Sequence, residues 1–241
     1  MRATFLGTGS ALPTADRAQS GVLVEADGRA LLVDCGAGTL TRLGERHEAL
    51  DAVLLTHHHT DHVADLVPIL KARWLAGCPA LEVVGPPGTR ALLADLLAVH
   101  DYLRGRVEYD AREVDPGEAF AVAGFDVKAT GTVHSMPCHA YRFGDAFAVS
   151  GDTEADDSVA AFADGVEAFA HDCSFPDGVD VSNHPTPSAL GEALAGNEYG
   201  TVFLTHLYPH AEGRHRELLA AVRERYDGDV RVARDGLSVR C

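Results

Sequence analysis

The stretch Leu54-Leu55-Thr56-His57-His58-His59-Thr60-Asp61-His62-Val63 sets four histidines and an aspartate within six residues, at the end of an apolar run. The run Asp51 to Leu55 reads as a buried strand. Val63 to Ala76 reads as a helix, with Pro68 tolerable only in its first turns. The cluster therefore sits on a strand-to-helix turn. Neutral imidazole and carboxylate are ligands for zinc-type ions. His57 and His59 share one side of an extended loop, while Asp61 and His62 open the helix and face a second point nearby. That layout suits two metals. An expression tag is excluded by the internal position and by the interruption at Thr60 and Asp61.

The rest of the chain is read against this turn. Strand-like runs cover Ala3–Leu6, Gly21–Ala26, Ala30–Val33, Leu81–Val84, Val107–Tyr109, Ala119–Val122, Phe125–Thr130, Ala140–Phe143, Ala146–Val149, Val166–His171 and Thr201–Thr205. Asp27-Gly28 marks a hairpin, and Asp235-Gly236 is expected to turn a closing hairpin between Val230–Ala233 and Leu237–Arg240. Helical spacing covers Thr39–Arg46, Arg90–Leu103, Val159–Ala163, Ser188–Ala195 and Arg214–Tyr226. No repeat, linker or composition break divides the chain. The expectation is one domain over residues 1–241, with two sheets and helices outside them.

Four later segments each end an apolar run with a ligand-type residue: Val133-His134, Val149-Ser150-Gly151-Asp152, Asn183-His184 and Leu204-Thr205-His206. Singly, each such residue reads as a cap. Together they place four candidate groups at strand ends, beside the first cluster if strand order permits. Asp34, closing another strand, is expected to brace the metal loop.

The net charge of −16, with only two lysines, disfavours nucleic acid and anionic membranes as partners. It fits either an ordinary acidic surface or adaptation to a salt-rich cytoplasm, where repulsion is screened. Five cysteines without paired spacing argue against a disulfide framework, and no apolar run reaches membrane-spanning length. With no signal-peptide pattern, a cytoplasmic location is expected.

The motif His57-x-His59-x-Asp61-His62 resembles the signature of the metallo-β-lactamase superfamily. The opening Phe5-Leu6-Gly7-Thr8-Gly9 and Leu32-Val33-Asp34-Cys35-Gly36 narrow the resemblance to its ribonuclease Z-like branch. So do Val133-His134, Gly151-Asp152-Thr153, His171-Asp172, Asn183-His184 and Leu204-Thr205-His206, so nearly the whole chain is covered. The pairing of His171-Asp172-Cys173-Ser174 with Asn183-His184 is also similar to the small cyclic phosphodiesterases of phosphonate breakdown. The resemblance implies an α/β fold, a four-layer αββα sandwich with the site at one edge. It implies one metal on His57, His59 and His134, a second on Asp61, His62 and His206, and a bridge through Asp152. Zinc is the first choice and manganese or iron the alternatives.

The resemblance also sets His184 beside the metals as a proton donor, oriented by Asp172, with Asp61 among the catalytic groups. Two cations about 3.5–4 Å apart would generate a shared hydroxide and neutralise developing charge. His58 is expected to point away from the metals, His139 to be structural, His47 and His100 to lie on helix surfaces, and His210 and His215 at the rim.

The chain departs from ribonuclease Z in having only Ser135 to Gly151 where typical bacterial forms insert an arm for transfer RNA. It departs from the cyclic phosphodiesterases in lacking a cysteine-rich second zinc site, since Cys35 stands alone there. The expectation is a dinuclear metal-dependent phosphodiesterase acting on a small or cyclic phosphodiester. The alternatives are a transfer RNA 3′-processing endonuclease, a thioester or lactone hydrolase, and a non-enzymatic protein with a vestigial site. A homodimer is expected, with Trp74 either in the core or at the contact.

Overall fold

The computed structural model describes residues 1–179 and 181–241. One sheet joins β1 (Arg2–Gly7), β2 (Gly21–Ala26), β3 (Arg29–Val33), β4 (Ala52–Leu54), β5 (Leu81–Gly85) and β6 (Tyr109–Glu113). The other joins β7 (Ala119–Val122), β8 (Phe125–Gly131), β9 (His139–Phe143), β10 (Phe147–Val149), β11 (Ala168–Asp172), β12 (Thr201–Thr205) and β13 (Val230–Val232). The last strand, β14 (Ser238–Arg240), returns to pair with β1, so each sheet has seven strands.

Period-two alternation decides what each face meets. On β8, Phe125, Val127 and Ala129 are buried between the sheets while Asp126 and Lys128 face out. On β4, Ala52 and Leu54 join the interior shared by the two sheets, and Val53 joins an outer layer. That layer packs beneath α1 (Thr39–Leu43), α3 (Leu66–Ala76) and α4 (Thr89–Val99), with α2 (Thr60–Val63) just before α3. The second sheet is covered by α5 (Asp157–Ala163), α6 (Pro187–Leu194) and α7 (His215–Arg223), over Phe169, Val202 and Leu204. The result is the expected αββα sandwich.

Two expectations are corrected. The segment expected as one helix from Val63 is two, because Asp65 leaves helical geometry and its carboxylate accepts from Leu40 N at 2.9 Å. Pro68 then falls in the first turn of α3, where its missing N–H costs nothing. The closing hairpin does not form either: β13 runs parallel to β12 in one sheet and β14 pairs with β1 in the other. Asp235 is a clamp, its carboxylate accepting from Thr8 N at 3.0 Å, Thr8 Oγ1 at 2.6 Å and Ala18 N at 2.6 Å. The Asp27-Gly28 hairpin does form, with both residues at positive φ, as a type I′ turn requires.

Strands β3 to β6 are mutually parallel, as are β10 to β13. The loops leaving the carboxyl ends of these two sets converge on one edge of the sandwich, where open α/β sheets place their sites. Cys35 fastens two of them: its N–H donates to His62 O at 2.7 Å and its carbonyl accepts from Asp65 N at 2.8 Å. The contact needs a glycine next door, since a Cβ on Gly36 would lie 1.9 Å from Asp61 O. Gly36→Ala is therefore expected to displace the histidine loop and cost about 1–3 kcal/mol, seen as a fall of several degrees in Tm by calorimetry.

Candidate metal centre

Seven side chains meet at that edge. The residues leaving β4 bring His57 and His59, α2 brings Asp61 and His62, and the loop after β8 brings His134. Asp152 follows β10 and His206 follows β12. His57 Nε2 lies 3.0 Å from His59 Nδ1, which lies 3.1 Å from His134 Nε2. Asp152 Oδ2 stands 3.5 Å from His57 Nε2 and 3.9 Å from His134 Nε2. The other carboxylate oxygen turns the opposite way: Asp152 Oδ1 is 3.4 Å from His62 Nε2 and 3.6 Å from His206 Nε2. Asp61 Oδ2 completes this second group, 3.2 Å from His206 Nε2 and 3.8 Å from His62 Nε2.

These lone pairs have no satisfactory solution among themselves. His62 Nε2 is buried with no hydrogen-bond partner among the described residues. Three neutral imidazoles in the first group cannot all donate to one another. The spacings instead approximate the edge of a tetrahedron around zinc, about 3.3 Å for Zn–N near 2.0–2.1 Å. The donor set fits a pair of divalent ions sharing Asp152.

The opposite ring nitrogens are tied down, which fixes the tautomers. Asp34 accepts from Thr56 N at 2.8 Å and from Thr56 Oγ1 at 2.8 Å, and its Oδ2 is 2.8 Å from His62 Nδ1. His57 Nδ1 lies 3.0 Å from the same Thr56 hydroxyl, and His134 Nδ1 lies 3.2 Å from Asn183 O. Asp34 therefore braces the loop, as its strand-end position suggested. It does so at φ 58, and His206 and Asn183 also hold left-handed backbone, at φ 58 and 67. Such strain concentrates at functional sites.

A second hydrogen-bonded line runs away from His206. His206 Nδ1 lies 2.9 Å from Ser174 Oγ, which donates to Asp172 Oδ1 at 2.6 Å. Asp172 Oδ2 lies 2.7 Å from His184 Nδ1. Thr153 N also donates to Asp172 Oδ2 at 3.4 Å, and His184 groups with Asp152, Asp172 and His206 beside the two clusters above.

Electrostatics follow from burial and these pairs. Burial opposes charge on Asp152, but the His206, His62 and His57 imidazoles outweigh it and hold its carboxyl well below the usual range. Burial also opposes charge on His184, yet the Asp172 hydrogen bond and charge prevail and lift it to about 8.

His58 turns from the cluster to Thr89 Oγ1 at 2.8 Å, His139 is buried 3.4 Å from the Tyr141 hydroxyl, and His210 is exposed. His215 meets Glu212 at 3.4 Å. His171 points away from the site, its Nδ1 2.7 Å from Asp172 O. Sequence reasoning missed Ser174, Phe175 and Tyr208. Their signal was adjacency: Ser174 and Phe175 follow Asp172 directly, and Tyr208 stands two residues past His206. Burial pushes the Tyr208 phenol up to about 12, with Asp61, Asp152 and Asp172 adding to it.

A shared carboxylate between two imidazole clusters, at the edge of an αββα sandwich, defines a metal-dependent hydrolase of the metallo-β-lactamase fold. Residues 29–207 match the model of the beta-lactamase superfamily domain, and the chain belongs to that family. It is 31% identical over 266 aligned positions to a ribonuclease Z of Mycobacterium bovis, covering 96% of this chain and 95% of the relative. That alignment is longer than the chain's own 241 residues, so the relative carries residues that this chain lacks. Among solved structures, the metallo-beta-lactamase fold protein YhfI of Bacillus subtilis superposes with a TM-score of 0.85 at 24% identity, covering 100% of this chain and 99% of that one. The short form of human tRNase Z gives 0.79 at 22% identity, covering 99% and 98%. A diphosphatase of the PhnP family gives 0.75 at 20% identity, covering 100% and 97%. No helix among the described residues is long and apolar enough to cross a membrane.

The raised His184 has a measurable consequence in metal-free protein. Its folded value of about 8 exceeds the ordinary 6.5, so its contribution to stability is complete below pH 6.5 and is lost as pH rises through 8. Imidazole NMR titration of metal-free protein should place His184 near 8, and Asp172→Asn should lower it. A titration unchanged by that substitution would refute the pairing.

Proposed function

We propose that this chain is a dinuclear metal-dependent phosphodiesterase acting on a small or cyclic phosphodiester. His57, His59 and His134 would hold one ion, Asp61, His62 and His206 the other, and Asp152 would bridge them. Zinc suits the imidazole-rich donor set, with manganese or iron as the alternatives. When bound, such a pair supplies an activated water and neutralises charge developing on the phosphoryl oxygens.

The observation that carries the reading is His184. It groups with Asp152, Asp172 and His206 at the edge of the second ion cluster, and because its Nδ1 is committed to Asp172 at 2.7 Å we read it as a proton donor and not as a ligand. Nδ1–H donates to the carboxylate, so Nε2 is the atom that carries the transferable proton. A phosphodiester with an alkoxide leaving group needs that proton as its P–O bond breaks. Asp172 keeps the ring oriented and favours the imidazolium. Ser174 links this pair to His206, so proton donor and ion ligand share one rigid support.

The second reading, transfer RNA 3′ processing, is favoured by the ribonuclease Z relative. Against it, the interval from Ser135 to Gly151 is filled by β9, β10 and their turns, with no arm. A net charge of −16 also leaves a poor footprint for a polyanion. Cleavage of a precursor transfer RNA, beside turnover of cyclic and linear phosphodiesters and of bis-p-nitrophenyl phosphate, separates the two. A dead phosphodiester panel with active transfer RNA cleavage would reverse the assignment.

Saturated protein should hold about two metals per chain by elemental analysis. His184→Ala should keep both, while turnover of a ribose or alkyl ester falls roughly 10²–10⁴-fold. Bis-p-nitrophenyl phosphate, whose leaving group needs little protonation, should suffer less. His206→Ala should lose metal and damage both substrates alike. Equal losses on both esters in metal-replete His184→Ala would remove its role as acid.

The proposal extends to a homodimer, though Trp74 does not carry it. That ring packs against the outer core with the Arg106 guanidinium 5.4 Å from its centroid. The exposed Leu75 on α3, Val99 at the end of α4 and Tyr102 just after it are the better contact. Light scattering at micromolar concentration should give twice the chain mass, and the monomer mass would exclude the dimer.

A further inference from the structure

Beside His184 stands an aromatic group that the hydrolytic chemistry leaves unused. Phe175 and Tyr208 are stacked, with ring centroids 4.4 Å apart and planes at 25°. His210 lies 5.4 Å from Phe175. Their rings also face the site: His184 is 6.1 Å from Phe175 and 5.8 Å from Tyr208, and His206 is 5.8 Å from Tyr208.

Phe175 and Tyr208 belong to none of the three apolar clusters that build the sandwich. Both are only half-buried, and His210 is exposed. Aromatic surface kept partly wet costs hydration that a core position would recover. The backbone nevertheless fixes it there. Tyr208 N donates to Ser174 O at 3.1 Å, so the segment after Asp172 and the segment after His206 are joined at Tyr208 itself and at the residue just before Phe175. The same Ser174 connects Asp172 to His206. The rings are therefore registered to the proton donor and to an ion ligand by one serine.

Resting on the phosphodiesterase reading above, we infer that Phe175 and Tyr208, with His210, form a stacking subsite for a flat aromatic ring on the leaving-alkoxide side of the substrate, so that the preferred phosphodiester carries a nucleobase. The side follows from the chemistry. The alkoxide that departs takes its proton from His184, so the group attached to it must lie next to His184, where the rings are. Stacking suits a nucleobase of any sequence because every base offers a π face. It also needs no lysine or arginine, which agrees with an acidic chain whose anion recognition is confined to the ion pair. Phe175 acts as a specificity-determining residue. Neither ring exchanges a proton with the substrate.

The test uses two substrates that open the same five-membered phosphodiester ring: adenosine 2′,3′-cyclic phosphate and the corresponding 1-deoxyribose 2′,3′-cyclic phosphate, which lacks only the base. Metal-replete wild-type enzyme should show a KM about tenfold lower for the adenosine ester. Phe175→Ala should raise that KM by about tenfold or more, the usual worth of one stacked base. It should leave the metal content and the KM of the baseless ester unchanged. Tyr208→Phe, which keeps the ring, should retain the preference, and Tyr208→Leu should lose it. The Tyr208 pair keeps the test decisive if Phe175→Ala fails to fold. Hydrolysis of both esters with equal KM in the wild type, or an equal rise for both in Phe175→Ala, overturns the subsite and leaves the phosphodiesterase intact. Hydrolysis of neither ester, nor of any other phosphodiester, overturns both.

Discussion

The structure turns on one carboxylate. Asp152 is buried, and its two oxygens face different imidazole pairs, Oδ2 toward His57 and His134, Oδ1 toward His62 and His206. A carboxylate out of water is stable only when opposite charge surrounds it. Every loop at this edge is arranged to provide that surrounding. Asp34 and Thr56 aim the first histidines, Ser174 and Asn183 aim the later ones, and left-handed backbone at Asp34, Asn183 and His206 lets the chain turn sharply enough to deliver them.

On the function proposed above, a small set of residues would separate ion holding from proton supply. Asp172 and Asp34 both meet a histidine Nδ1, at 2.7 and 2.8 Å. Yet the Asp34 partner presents its far nitrogen to the ion cluster, and the Asp172 partner presents its own beside it. Position along the edge, and not residue chemistry, is what would distinguish the two proposed roles. The half-buried aromatic rings next to the second histidine then give that side of the site a different character from the ion side.

Most of this was legible in the sequence because it is local. A strand ending in His57-x-His59-x-Asp61-His62 dictates its own turn, and apolar runs ending in His134, Asp152 and His206 mark strand ends where further candidate ligands can stand, while their division between two ions came from the family resemblance. Periodicity gave the strands of both sheets to within a residue or two in most places. What failed was non-local. Asp235-Gly236 has the composition of a hairpin turn, but the carboxylate is claimed by Thr8 and Ala18, more than two hundred residues away in sequence, and the flanking strands separate into different sheets. The break at Asp65 has the same origin, since its side chain serves Leu40 in place of its own helix. Phe175 and Tyr208 carry no motif of their own, and the stacking of their rings, set by the Ser174–Tyr208 backbone contact, is visible only in the fold.

The candidate ligand groups are split between the two halves of the sandwich. His57, His59, Asp61 and His62 hang from the first sheet, and His134, Asp152 and His206 from the second, with Asp61 and His206 separated by 145 residues. Neither half owns a complete binding site. A nascent chain that has paired only β1 to β6 would hold no more than a fragment of each ion's shell, and tight capture would wait until the second sheet has closed over the shared interior. The ions would then act as a bolt across the seam. Loading would report that the two halves have docked in register, and a chain with mispaired sheets would stay empty and inactive.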